Sequence, residues 1–92
     1  MKVRYRERAL ADIEAIFNYL DERSPSGSRN VLTAIADAID IIAAQPQAAQ
    51  RTSDASVRVK TVGRYHYRIF YSVDGDTVEI IHVRHGARRP WL

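Results

Sequence analysis

The hydrophobic period of this chain switches from three-to-four to two near Pro46, and that change constrains the architecture more than any other feature. Between Ala9 and Ala44 apolar residues recur every three or four positions. Leu10, Ile13, Ile16, Phe17 and Leu20 form one series, and Val31, Leu32, Ile35, Ile39 and Ile42 form a second. Spacing of this kind lays an apolar stripe along one side of a helix. "RSPSGS" separates the series, with Ser24 placed to cap the second helix and Pro25 at its first position, where a missing N–H costs nothing. Pro46 cannot continue that helix, so it ends near Ala44. Two amphipathic helices with so short a break make an antiparallel hairpin. Leu10, Ile13 and Phe17, facing Ile35 and Ile39, are the expected seam against the rest of the core.

On either side of the helices the period is two. "KVRYR" at the N-terminus sets Val3 and Tyr5 against Lys2, Arg4 and Arg6. After the polar connection "QPQAAQRTSDAS", "VRVKTV" alternates again, Gly63 interrupts, and "YHYRIFYSV" and "TVEIIHVRH" flank the turn signal "DGD". The expected order is β-α-α-β-β-β in a single α+β domain covering residues 1–92, with the helical hairpin on one face of a small, mainly antiparallel sheet. A two-residue type I′ turn at Asp74-Gly75 would pair Val73 with Asp76, Tyr71 with Val78, Ile69 with Ile80 and Tyr67 with His82. Ile69, Tyr71, Val78 and Ile80 would then face the helices. His66, Arg68, Phe70, Ile81 and Val83 would lie on the opposite face. A different turn length would exchange one strand's faces relative to the other.

Composition narrows the chemistry. The chain lacks cysteine, which removes disulfides and thiolate metal sites and fits a reducing compartment. "MKVRYRERAL" has no apolar signal-peptide core, and no apolar run reaches the length of about 20 residues that spans a bilayer, so a soluble cytoplasmic protein without membrane partners is expected. Charge is uneven. Residues 1–50 carry six Lys/Arg against seven Asp/Glu, and residues 51–92 carry eight against four. The basic half suits an acidic partner, either nucleic acid or an acidic protein segment, and equally suits a surface that is merely basic.

No residue pattern announces a cofactor. His82 and His85, three apart on a strand, point to opposite faces, so no metal site is expected. There is no Gly-x-Ser-x-Gly elbow, and the four glycines, at 27, 63, 75 and 86, form no phosphate loop. What remains open is metal-independent phosphodiester chemistry, which needs cations around the phosphate and a proton-transfer group. Arg58, Lys60, Arg68, Arg84 and His85 are side chains of the right kind on three adjacent strands, with His85 as the acid or base. Basic residues on strands are also commonplace solubilising surface. Tyr65, Tyr67, Phe70 and Tyr71 could stack on bases, or simply pack across strands.

Taken together, "ALADIEAIFNYLDERSP", "AIADAIDIIAAQPQAAQR" and "VRVKTVGRYHYRIFYSVDGDTVEIIHVRHGARRPW" resemble the RelE/ParE superfamily, the toxins of type II toxin–antitoxin operons, over almost the whole chain. The ribonuclease branch places lysines and arginines on the central strands with a late histidine or tyrosine. Arg58, Lys60 and His85 are similar to that pattern. However, Gly86 stands where a tyrosine would follow the histidine, and Lys2 and Lys60 are the only lysines. "VGRYHYRIFYSVDGD" and "VRHGARRPW" look more like the ParE branch, which shares the fold and inhibits DNA gyrase. The resemblance thus implies a toxin that blocks replication through gyrase, with ribosome-dependent mRNA cleavage as the alternative. A binding module that has lost toxicity is a third reading.

It also implies a partner. Antitoxins of this class wrap the toxin with a C-terminal segment, typically acidic, that lays a helix on the helical hairpin and often adds a strand to the sheet; a toxin–antitoxin hetero-oligomer is expected. Arg84, His85, Arg88, Arg89 and Trp91, at and beyond the end of the last strand, are the candidate target-binding residues.

Overall fold

The computed structural model describes residues 1–86. Strand β1 (Lys2–Tyr5) leads into helices α1 (Glu7–Asp21) and α2 (Pro25–Ala44). Strands β2 (Gln50–Arg51), β3 (Arg58–Val62), β4 (Tyr67–Asp74) and β5 (Thr77–His85) follow, with a 3₁₀ turn at Gly63–Tyr65. Together they form one five-stranded sheet in the order β1-β5-β4-β3-β2. Only β1 and β5 run parallel. The α+β order expected from the periodicity is present, and β2 is an addition: two residues of the polar connection pair with β3 through Gln50↔Val59 and Arg51↔Arg58.

The helix boundaries follow local chemistry. Ser24 has extended backbone, its hydroxyl accepts the Gly27 N–H at 3.1 Å, and Pro25 opens α2. At the other end, the Tyr71 hydroxyl donates to the Pro46 carbonyl at 2.6 Å, tying the helix exit to the centre of the sheet. Arg58 completes that tie. Its guanidinium donates to the carbonyls of Gln47 (3.1 Å) and Ala49 (2.8 Å) and to the Gln47 side-chain oxygen (2.7 Å).

The core gathers Val31, Ile35, Ala38, Ile39 and Ile42 from α2 and Ile69, Tyr71, Val78 and Ile80 from the sheet, the last four fully buried. The contribution of α1 differs from the expected seam. Ala9 is fully buried, with Ile13, Ile16 and Leu20 packed beside it. Leu10 stays 53% exposed and Phe17 36% exposed. Leu10 and Phe17 lie seven residues apart, two helical turns on one line, and that line is rotated away from the line through Ala9, Ile13, Ile16 and Leu20. The apolar stripe of α1 is therefore wider than the surface the sheet covers.

The β4–β5 turn is one residue later than expected. Asp74 pairs with Thr77 and Val73 with Val78, so Gly75 and Asp76 form the turn. Gly75 has φ +61°, and His66 is the only non-glycine with positive φ among the described residues. Asp76 thus lacks the second left-handed position of a type I′ turn, and glycine at the first turn position is the type II′ preference. The shift moves the partner by two residues, which preserves the faces of Ile69, Tyr71, Val78 and Ile80. Farther along, the faces do change. Tyr71 pairs with Ile80 but Phe70 with His82, leaving Ile81 as the extra residue of a β-bulge. Val83, expected on the opposite face, therefore sits opposite Ile69 and is 3% exposed.

Candidate functional site

The β3–β4 register and the β5 bulge together decide where the basic residues go. Directly opposed residues on neighbouring strands share a face. Arg58 pairs with Tyr71 and Lys60 with Ile69, so both lie on the helix-covered face. Lys60 there lines a small hollow with Ile41, Ile42, Ala49 and Tyr71. Arg68 pairs with Thr61 on one side and Arg84 on the other, on the helix-free face beside Val59 and Phe70. His85 pairs with Tyr67 and returns to the helix side, where the two rings meet edge to face at 5.0 Å. The expected cluster is thus divided. Arg68 and Arg84 are together, Arg58 and Lys60 are together on the other side, and His85 sits at the far end of that second face. Arg88, Arg89 and Trp91 lie outside the described residues.

A second constellation forms around the end of β5 that the sequence did not single out. An open groove of about 450 Å³ lies between α1 and the sheet, lined by Arg8, Asp12, Tyr19, Tyr67, Arg84 and His85. Asp12 is its hub. One carboxylate oxygen accepts the Val83 backbone N–H at 3.1 Å and lies 3.4 Å from His82 Nδ1, while the other meets Arg8 Nε at 3.4 Å. In sequence, Asp12 reads as the acidic half of an exposed i,i+4 pair with Arg8, because nothing local reveals that β5 passes beside it. The end of the hairpin is equally built. His66 takes a left-handed backbone (φ 60°) and its carbonyl accepts the Gly86 N–H. A Cβ on Gly86 would stand 3.0 Å from that carbonyl and 3.0 Å from Arg68 Nε, so a larger residue there would have to push its neighbours aside.

Elsewhere the charges are structural. Arg6 and Arg4 grip Glu79 at 3.0 and 3.2 Å across β1 and β5. The hydrogen bond from Arg6, aided by the charge of both arginines, holds the Glu79 carboxyl below its ordinary value. Burial raises the Tyr71 phenol above its ordinary value, against the pull of the Arg58 charge. No group of three His, Cys, Asp or Glu side chains among the described residues is placed to hold a metal ion. No helix among the described residues is long and apolar enough to cross a membrane.

Known proteins share both this sequence and this arrangement. Toxin RelE2 of Caulobacter vibrioides is 33% identical over 81 residues, spanning 88% of this chain and 90% of that protein. Among solved structures, a chain of the chromosomal ParDE toxin–antitoxin system from P. aeruginosa superposes with a TM-score of 0.80 at 19% identity, covering 92% of this chain and 95% of that one. The isolated E. coli RelE toxin superposes with a TM-score of 0.61 at 15% identity, covering 97% and 87%. These two likenesses establish the fold. The family model of the ParE toxin of type II toxin–antitoxin systems, parDE, matches residues 3–90, from the first strand through the basic C-terminal stretch. With the helical hairpin, the sheet order and that match in agreement, this chain belongs to the ParE toxin family of the RelE/ParE superfamily and has a cognate antitoxin as its partner.

Proposed function

We propose that this toxin arrests growth by inhibiting DNA gyrase, acting as a binding protein that performs no chemistry of its own. The observation that carries this reading is the division of the basic residues. Metal-independent RNA cleavage asks for phosphate-binding cations and a proton-transfer group around one scissile bond. Here Arg58 is committed to loop carbonyls on the helix side, Arg68 lies on the helix-free face beside Thr61, and only Arg84 and His85 meet at the α1 groove, where His85 packs against Tyr67. A groove rim bearing Arg84 and His85 at the end of β5 suits contact with a protein target. The match to the ParE family model supports the same reading. Ribosome-dependent mRNA cleavage remains the second reading because the relative from Caulobacter vibrioides bears the name RelE2.

For the antitoxin, the exposed line of Leu10 and Phe17 on α1 is the docking surface we favour. Large apolar side chains left in water along two helical turns suit the apolar face of a partner helix. The acidic character expected of the partner's tail complements the basic C-terminal half. Pulse-labelling after induction tests the target. Under the gyrase reading, DNA synthesis falls and a DNA-damage response begins while protein synthesis continues. Immediate loss of protein synthesis with DNA synthesis intact would favour the ribosome instead.

A further inference from the structure

The strand that carries Arg84 and His85 loses its neighbour halfway along. Pairing with β1 ends at Tyr5↔Ile80, and the Arg6 N–H takes the Ile80 carbonyl at 3.0 Å as the chain leaves the sheet for α1. From residue 81 onward the outer edge of β5 faces a helix, which has no backbone groups to offer a strand. This is also where the bulge falls, with Ile81 as the extra residue. A bulge interrupts the ladder and leaves backbone groups to be satisfied by other means.

Asp12 supplies the means. Its carboxylate accepts the Val83 N–H at 3.1 Å, so a side chain from α1 continues the hydrogen bonding where β1 stops. The same oxygen lies 3.4 Å from His82 Nδ1, and the carboxylate also meets Arg8, so the two residues that follow the bulge are held from one point. The position matters because the bulge reverses the alternation of faces beyond it. With Ile81 left unpaired, Val83 enters the core opposite Ile69, Arg84 stands beside Arg68, and His85 stands beside Tyr67. One-residue slippage would send each of these three side chains to the other face.

We propose that Asp12 is the positioning residue of the toxin: by capping the Val83 N–H it fixes the β5 bulge and thereby the faces on which Arg84 and His85 are presented. This rests on the reading that the end of β5 meets the target, whichever target that is. Asp12 itself touches no substrate in this scheme.

The test compares Asp12→Ala with Asp12→Asn, whose amide oxygen still accepts the Val83 N–H but carries no charge. Three quantities are read: growth arrest on induction, affinity for the cognate antitoxin, and Val83 amide exchange measured by NMR. Exchange is measured in the toxin–antitoxin complex, where binding keeps even a weakened variant folded. In Asp12→Ala, Val83 exchange should accelerate by about 10- to 100-fold, the range set by losing the partner of one buried donor. Growth arrest should be lost while antitoxin affinity stays within about threefold, since a rim contact changes binding little. Asp12→Asn should restore both Val83 protection and toxicity. Any variant in which Val83 protection and toxicity part company overturns the proposal, as does an Asp12→Asn toxin as inactive as Asp12→Ala. A wild-type toxin that arrests growth without touching gyrase would sink the gyrase reading alone, because growth arrest and amide exchange do not depend on the target's identity.

Discussion

Replacing Phe17 by alanine separates two roles that an apolar residue on α1 can have. A phenylalanine at a fully enclosed site costs about 3–5 kcal/mol when truncated, because a cavity adds to the lost transfer energy. Phe17 keeps 36% of its surface in water, so the space it vacates opens to solvent and no cavity forms. Only the partial transfer energy is lost, about 1–2 kcal/mol. Ile80, fully buried under the helices, is the control, and its truncation should cost about 2–5 kcal/mol. Antitoxin binding should show the opposite ranking. If Phe17 is an anchor for a partner helix, its loss removes at least about 2 kcal/mol of binding energy, roughly a 30-fold rise in Kd. Ile80→Ala should leave the affinity of the folded fraction nearly unchanged. Urea titration of free toxin gives the first quantity, and calorimetric titration with antitoxin gives the second. A Phe17→Ala toxin that loses as much stability as Ile80→Ala, yet binds antitoxin as tightly as wild type, would refute the assignment of the exposed stripe to the partner.

Other perturbations follow from the same geometry. Tyr71→Phe removes the hydroxyl that meets the Pro46 carbonyl at 2.6 Å and should cost about 1–3 kcal/mol in urea titration, with no change in sheet content. Gly86→Ala drives a Cβ to 3.0 Å from the His66 carbonyl and should destabilise the hairpin end by about 1–3 kcal/mol, read in the same titration. Glu79 has a depressed folded-state pKa, so its contribution is present above the ordinary value of 4.5 and is lost as pH falls through the lower folded value. Glu79→Gln should accordingly lower stability slightly at neutral pH, leave it little changed at the acid extreme, and so flatten the acid limb of a stability-versus-pH curve.

Much of this fold was legible because local signals agreed with one another. Ser24 and Pro25 mark a helix start by hydrogen-bonding capacity and fixed φ alone, and Pro46 marks the end by what it lacks. The core face of the β4–β5 hairpin was legible too, since moving the turn by one residue moves the partner by two and preserves parity. The bulge was not. It depends on the contact between Asp12 and Val83, 71 positions apart, and on β1 ending beside Ile80. That is why Val83 was assigned to the wrong face. Leu10 and Phe17 were misplaced for a different reason. Periodicity locates an apolar stripe on a helix but not how much of it the chain's own sheet covers.

Purified toxin added to gyrase and relaxed plasmid, beside a parallel reaction with programmed ribosomes, tests the gyrase reading most directly. Supercoiling should fall with toxin concentration, recover on addition of antitoxin, and persist in inhibited form with His85→Ala at a cost of about 1–3 kcal/mol in affinity. The ribosome reaction should leave the mRNA intact. Codon-phased cuts in ribosome-bound mRNA that drop by about 10²–10⁴-fold in His85→Ala, with supercoiling untouched, would contradict the gyrase reading and make His85 a catalytic residue.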